Sequence, residues 1–179
     1  TAKTASNIMA SFLVGRGFGD VENDLIVNQK KGTTLLSFTN KLAKSITKNR
    51  GAFIHINYNL NYKIDSFDLL PFSHCRLGKK DDDKYNGKIG VSDKFTEKNV
   101  KDSDVVFIDV YNERESVIKA QINKCKGDTE VEKLKHYKGQ ILFINLDDEY
   151  TYPLSTIDAV QNDCDSEAQA SIFKNRSLR

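Results

Sequence analysis

What the chain lacks narrows it first. Its three cysteines, Cys75, Cys125 and Cys164, are widely spaced in 179 residues. An odd number with no Cys-x-x-Cys pair argues against a disulfide framework or a thiolate metal knuckle, and free thiols are expected. Three histidines, His55, His74 and His136, share no metal-ligand spacing. No apolar run approaches the roughly 18 residues of a membrane span, and the opening residues lack the charged, apolar, small-residue order of a secretory leader. A cytoplasmic protein with no membrane partner is therefore expected. Charge of one sign is lacking too: 27 basic against 25 acidic residues leave a formal charge of +2. Bulk attraction to nucleic acid is excluded, and any such site has to be a local patch. Repeats and low-complexity segments are absent.

What is present suits an ordinary globular chain, 39% hydrophobic and 29% charged. One domain over 1–179 is expected. A start at Thr1 instead of Met, and an end at Arg179 without a helix cap, point to a fragment of a longer protein. Ile8, Met9, Phe12 and Leu13 fall at helical spacing over residues 4–13, ahead of the breakers Gly15, Gly17 and Gly19. Residues 24–28 and 33–38 read as a hairpin about a connector ending at Gly32. Residues 40–48 read as a helix capped by Asn40 and stopped at Gly51.

Over residues 52–64, Ile54, Ile56, Tyr58, Leu60, Tyr62 and Ile64 alternate with His55, Asn57, Asn59, Asn61 and Lys63. The alternation predicts one long half-exposed strand. Its polar face suits solvent or, if the strand is an exposed edge, a protein partner added as a further strand. The polar stretch 72–88 is too long for a plain turn. Residues 104–111 and 116–122 read as hairpin strands about Asn112-Glu113-Arg114-Glu115, residues 130–138 as a short helix stopped by Gly139, and residues 140–146 as a strand. A helical turn or two over 155–160 and a last run through Phe173 complete the chain. The sum is an α+β, strand-rich fold, a mainly antiparallel sheet or partial barrel with two to four short helices, in preference to a doubly wound parallel sheet.

Clustered carboxylates beside a lysine are what a metal-dependent nuclease uses. Asp109, Glu113, Glu115 and Lys119 around the 104–122 hairpin are the candidate catalytic set. Mg²⁺ is the cofactor in that case, and none is expected otherwise. Glu113-x-Glu115 also has the carboxylate spacing of ADP-ribosyltransferases; a solvated turn with surface ion pairs is the competing account. In the 72–88 stretch, Arg76, Lys79, Lys80, Lys84 and Lys88 suit phosphates while Tyr85 and Asn86 suit base edges. Asp81-Asp82-Asp83 in the same stretch would repel that backbone. Gly15-Arg16-Gly17-Phe18-Gly19 invites a phosphate-loop reading, but a helix before it and a strand after it reverse the dinucleotide context. His74 and Cys75 point apart in an extended chain, so thiol catalysis would need His55 or His136 brought to Cys75.

The run Asn162-Asp163-Cys164-Asp165-Ser166-Glu167-Ala168-Gln169-Ala170-Ser171-Ile172-Phe173-Lys174-Asn175-Arg176 resembles a segment of the N-terminal DNA-binding domain of EcoRII-type restriction endonucleases. There, Asp-Cys-Pro-Asp-Ser-Glu-Ala-Arg-Ala enters an aromatic strand and a basic, base-reading loop. This chain lacks the proline and has Gln169 for the arginine. The resemblance implies a B3-like pseudobarrel that grips the major groove with two arms, and it carries over Arg176 and Arg179 as DNA contacts. A duplex-DNA recognition domain of a restriction or phage-defence protein is the leading expectation. The alternatives are an enzyme using the hairpin carboxylates, either a nuclease or a toxin-like transferase, and a protein-binding module.

Overall fold

The computed structural model describes residues 2–97, 100–147, 149–155 and 161–177. The stretch read as helical over 155–160 lies, apart from its first residue, outside the described residues. Helix α1 (Ala2–Val14), α2 (Asp20–Asn23), β1 (Ile26–Asn28) and β2 (Thr33–Thr34) lead into α3 (Leu35–Asn49). The β1–β2 hairpin turns on a short 3₁₀ segment closed by Gly32 at φ 57°. Its second strand is shorter than the pattern suggested, because the Thr34 hydroxyl accepts the Ser37 N–H at 3.2 Å and starts α3 there. At the far end Arg50, at φ 52°, takes the left-handed stop expected of Gly51. Gly51 answers a different need: a Cβ there would lie 2.7 Å from the Ile144 carbonyl oxygen.

The main sheet comprises β3 (Gly51–Tyr58), β4 (Ile64–Leu70), β5 (Cys75–Leu77), β6 (Lys88–Val91), β7 (Val106–Val110) and β8 (Gln140–Asn145), in the order β4-β3-β8-β7-β6-β5. Every neighbouring pair is antiparallel except β7 and β8, whose crossover carries α4 (Glu115–Asn123) and α5 (Glu130–His136). The α+β class and the open, mostly antiparallel sheet match the sequence reading. Helix nevertheless covers 44% against 24% strand, and six α-helices stand among the described residues where two to four were expected.

Three segments depart from the sequence reading. The single strand read over 52–64 is two strands. The Asn59 side chain accepts the N–H groups of Asn61 and Lys63 at 2.9 and 3.1 Å, and Tyr62 sits at φ 58°, so the asparagines make a hairpin turn. β3 is hydrogen-bonded on both sides, to β4 and β8, which leaves no free edge for strand addition there. The strand read over 116–122 is α4: Ile118 and Ile122, one helical turn apart, are its buried residues. The last run is α6 (Gln161–Ser177), and Ile172 and Phe173, which the resemblance puts on a strand, lie exposed on this helix.

The sheet is curved by its own connectivity. β4 and β5 occupy opposite edges, yet only Pro71–His74 separates them. Edge strands of a flat six-stranded sheet lie about 24 Å apart, whereas five Cα steps reach at most about 18 Å. The link therefore draws the edges together across one face. Phe72 in that link meets Phe53 at 5.1 Å between ring centroids, and Phe53 stacks on Phe143 at 4.4 Å. Phe53, Cys75, Ile89, Ile108 and Ile141 fill the resulting concave core. On the convex face Phe38 of α3 and Ile118 and Ile122 of α4 pack against Ile54, Ile56 and Tyr58.

Phe53 is fully buried at the centre of the concave core. Phe53→Ala is expected to cost about 3–5 kcal/mol, measured by urea denaturation; a loss below about 1 kcal/mol would contradict this packing.

Candidate functional site

The β3–β4 turn and the α5–β8 link lie at one end of their strands, and the β5–β6 connection and the β7–α4 link at the other. The parallel pair is staggered, however: Asp109 and Val110 at the end of β7 pair with Gln140 and Ile141 at the start of β8, which brings the β7–α4 and α5–β8 links to neighbouring levels. Between them, against α4, opens a hollow of about 580 Å³ lined by Lys88, Asp109, Ser116, Lys124, His136 and Lys138, among others. Strand register builds one wall, since Lys88 pairs with Asp109 and Asp109 with Gln140 on the convex face. Helix α4 supplies Ser116, and Lys124 is its C-cap. Among the described residues Lys88, Lys124 and Lys138 form no ion pair, so three cations face one carboxylate.

The floor is a polar network. Gln140, fully buried, accepts the Tyr58 hydroxyl at 2.7 Å and the Asn112 N–H at 3.1 Å. Its amide nitrogen donates to Gln121 Oε1 at 2.8 Å, which also receives the Tyr137 hydroxyl at 2.7 Å. Among the described residues no buried side-chain nitrogen or oxygen lacks a partner. The Lys138 backbone is fixed separately: its carbonyl lies 2.6 Å from His55 Nε2, and because a carbonyl only accepts, that ring nitrogen carries the proton. Gly139 follows at φ 75°, where a Cβ would lie 2.2 Å from the Ile56 carbonyl oxygen.

A neighbouring hollow of about 560 Å³ shares Tyr137 and contains Lys30, Lys31, Lys135 and His55, but also Asp65 and Asp68. Lys31 is paired with Asp68. Its charge is closer to balanced, and the first hollow is the stronger anion site.

The residues singled out from sequence divide between these surroundings. Asp109 lines the cationic hollow, while Glu113 is exposed in the β7–α4 link. Glu115 begins α4 and pairs with Lys119 at 2.8 Å and Lys63 at 3.9 Å; Lys119 also lies 4.7 Å from the Tyr62 ring centroid. The lysine contact holds the Glu115 carboxyl below its ordinary range. Glu113, Glu115 and Lys119 are not among the residues lining the hollow that holds Asp109, and among the described residues no group of three or more His, Cys, Asp or Glu could hold a metal ion. Cys75 is buried in the concave core, where burial pushes its thiol up to about 12; burial also raises the Cys125 thiol.

The basic stretch is partly committed to the fold. Arg76 donates to the Ser73 and Cys75 carbonyls and lies 5.2 Å from the Phe95 centroid. Lys84 and Tyr85 both donate to Asp102, at 2.6 and 2.5 Å, and the Asp102 hydrogen bond raises the Lys84 ammonium. Lys79, Lys80 and Asn86 are exposed, and Lys88 faces the hollow. Arg176 is exposed on α6; Arg179 lies outside the described residues. Lys124 and Lys138 were not singled out from sequence, and His136 was named only as a base for Cys75, although a density of lysine over 124–138 was there to be seen. Neither a family model, a curated protein nor a solved structure matches the chain.

Gln140→Leu takes the acceptor from the buried Tyr58 hydroxyl and from the Asn112 N–H, while Gln121 keeps Tyr137, and is expected to cost about 2 kcal/mol; an unchanged urea midpoint would show that the network is dispensable. Burial also holds Cys75, ordinarily near 9, and Tyr58, ordinarily near 10, protonated up to about 12. The unfolded chain releases those protons first. Stability is therefore full below about pH 9 and falls toward pH 12, by up to about 1.4 kcal/mol per pH unit for each group. Urea midpoints at about pH 8, 10 and 11 check this, with a shallower fall expected for Cys75→Ala.

Proposed function

We propose that the chain binds duplex DNA as a recognition domain of a restriction or phage-defence protein, with phosphates taken up by the Lys88, Lys124 and Lys138 hollow. The observation that carries the reading is that these three lysines line one hollow with His136 and, among the described residues, have no ion-pair partners. An unpaired ammonium attracts a phosphate without first giving up a carboxylate. Lys79 and Lys80 are exposed in the β5–β6 connection, which leads to Lys88 at the start of β6. Asn86 beside them offers an amide that matches the donor–acceptor edge of adenine. Phosphate contacts set position and base contacts set specificity, so the hollow anchors and the connection reads. The resemblance of residues 163–176 points to the same ligand class.

The reading requires strong salt dependence. Three phosphate contacts give a slope of log affinity against log salt of about −2.7, and each lysine removed lowers its magnitude by about one. Fluorescence anisotropy of a random 20-base-pair duplex, between about 50 and 200 mM salt, measures both slope and affinity. Lys124→Ala and Lys138→Ala are expected to weaken binding similarly for all sequences. No binding at about 50 mM salt, or binding indifferent to both substitutions, would refute the proposal.

A further inference from the structure

We propose that the outward face of α1 is a self-association surface that joins two copies of this chain about a two-fold axis. The helix is amphipathic in the opposite sense to a surface helix of a monomer. Its small residues face the protein: Ser6 hydrogen-bonds Thr47 of α3 at 3.2 Å, and Ala10 is 3% exposed. Its large apolar residues face away, with Ile8 and Met9 each 53% exposed, Leu13 63% and Phe12 82%.

The shape of this face fits itself. Ile8 and Phe12 form a ridge at i, i+4 spacing, and Asn7, Ser11 and Gly15 form the adjacent row. The two rows border a shallow groove of about 440 Å³. A two-fold rotation seats the ridge of each copy in the groove of the other, the interlocking of i±4 rows that crosses helices at about −50°. Charge agrees, because no charged residue occurs from Thr4 to Val14. Nothing on the face repels its own copy, and nothing on it selects a charged partner. Area sets the scale: the four large side chains expose roughly 500 Å² per copy, so a contact that covers all four on both copies removes about 1,000 Å², the lower bound for a specific interface.

The inference stands apart from the DNA reading and is tested without nucleic acid. Sedimentation velocity of the full chain from about 1 to 200 µM is expected to show mass rising from 20.3 kDa toward twice that value. Phe12→Glu is expected to weaken association at least about thirtyfold. Ile8, mid-ridge, lies beside its own counterpart across the axis, so Ile8→Glu and Ile8→Lys are each expected to be monomeric and their mixture to recover the dimer. A wild-type chain monomeric throughout the range, a dimer unaffected by Phe12→Glu, or a mixture that stays monomeric would overturn the proposal.

Discussion

The arrangement of this protein depends on one buried amide. Gln140 sits on the convex face of β8 and receives hydrogen bonds from β3, through Tyr58, and from the β7–α4 link, through Asn112. Its own nitrogen reaches α4 through Gln121, which is joined in turn to Tyr137 after α5. One geometry satisfies all of these groups: the Gln140 oxygen accepts twice, and the Gln121 oxygen accepts twice. An apolar contact tolerates sliding, whereas a buried polar network with one satisfied arrangement does not. Gln121 and Tyr137 also line the cationic hollow, so the network that fixes α4 and α5 on the sheet fixes the distance between the lysines they carry.

Charge is sorted by the fold more than by composition. Acidic residues are nearly as numerous as basic ones, but Asp102 is occupied by Lys84, Asp104 by Lys94, Asp147 by Arg50 and Glu115 by Lys119. These exposed or half-exposed pairs add little stability. Their effect is to remove carboxylates from competition for the remaining cations, so that a chain close to neutral gathers a local excess of positive charge where the end of β7 meets the start of β8.

How much could be read from sequence follows the range of the interactions. The helix read over 130–138 stands at Glu130–His136, held by a capping box between Thr129 and Glu132, and the strand read over 140–146 stands at Gln140–Asn145. The turn at Asn59–Lys63 was hidden by an apolar alternation that continues across it. Helix α4 was hidden by Val117, Ile118 and Ile122, whose β-branched side chains suit a strand until the sheet offers them a surface to bury one helical face against. The candidate site was half legible: Lys88 and Asp109 were singled out, but only strand register makes them neighbours. Lys124, His136 and Lys138 sit on a helix cap, a helix end and a link, and no local pattern joins three such positions.

The strand order bears on the chain as it is being made. β3 with β4, and β5 with β6 and β7, can each pair as soon as they are synthesised, but the two groups meet only through β8, which inserts between β3 and β7. Until residue 145 has left the ribosome, the long apolar strand β3 and the strand β7 each present an unpaired edge. The four-residue link between β4 and β5 meanwhile holds the far edges of the two groups close together, leaving a gap of one strand's width to be closed last. Nascent chains of this protein are therefore open to mispairing with one another late in synthesis, and a chaperone's protection matters most in the interval between the emergence of β7 and that of β8.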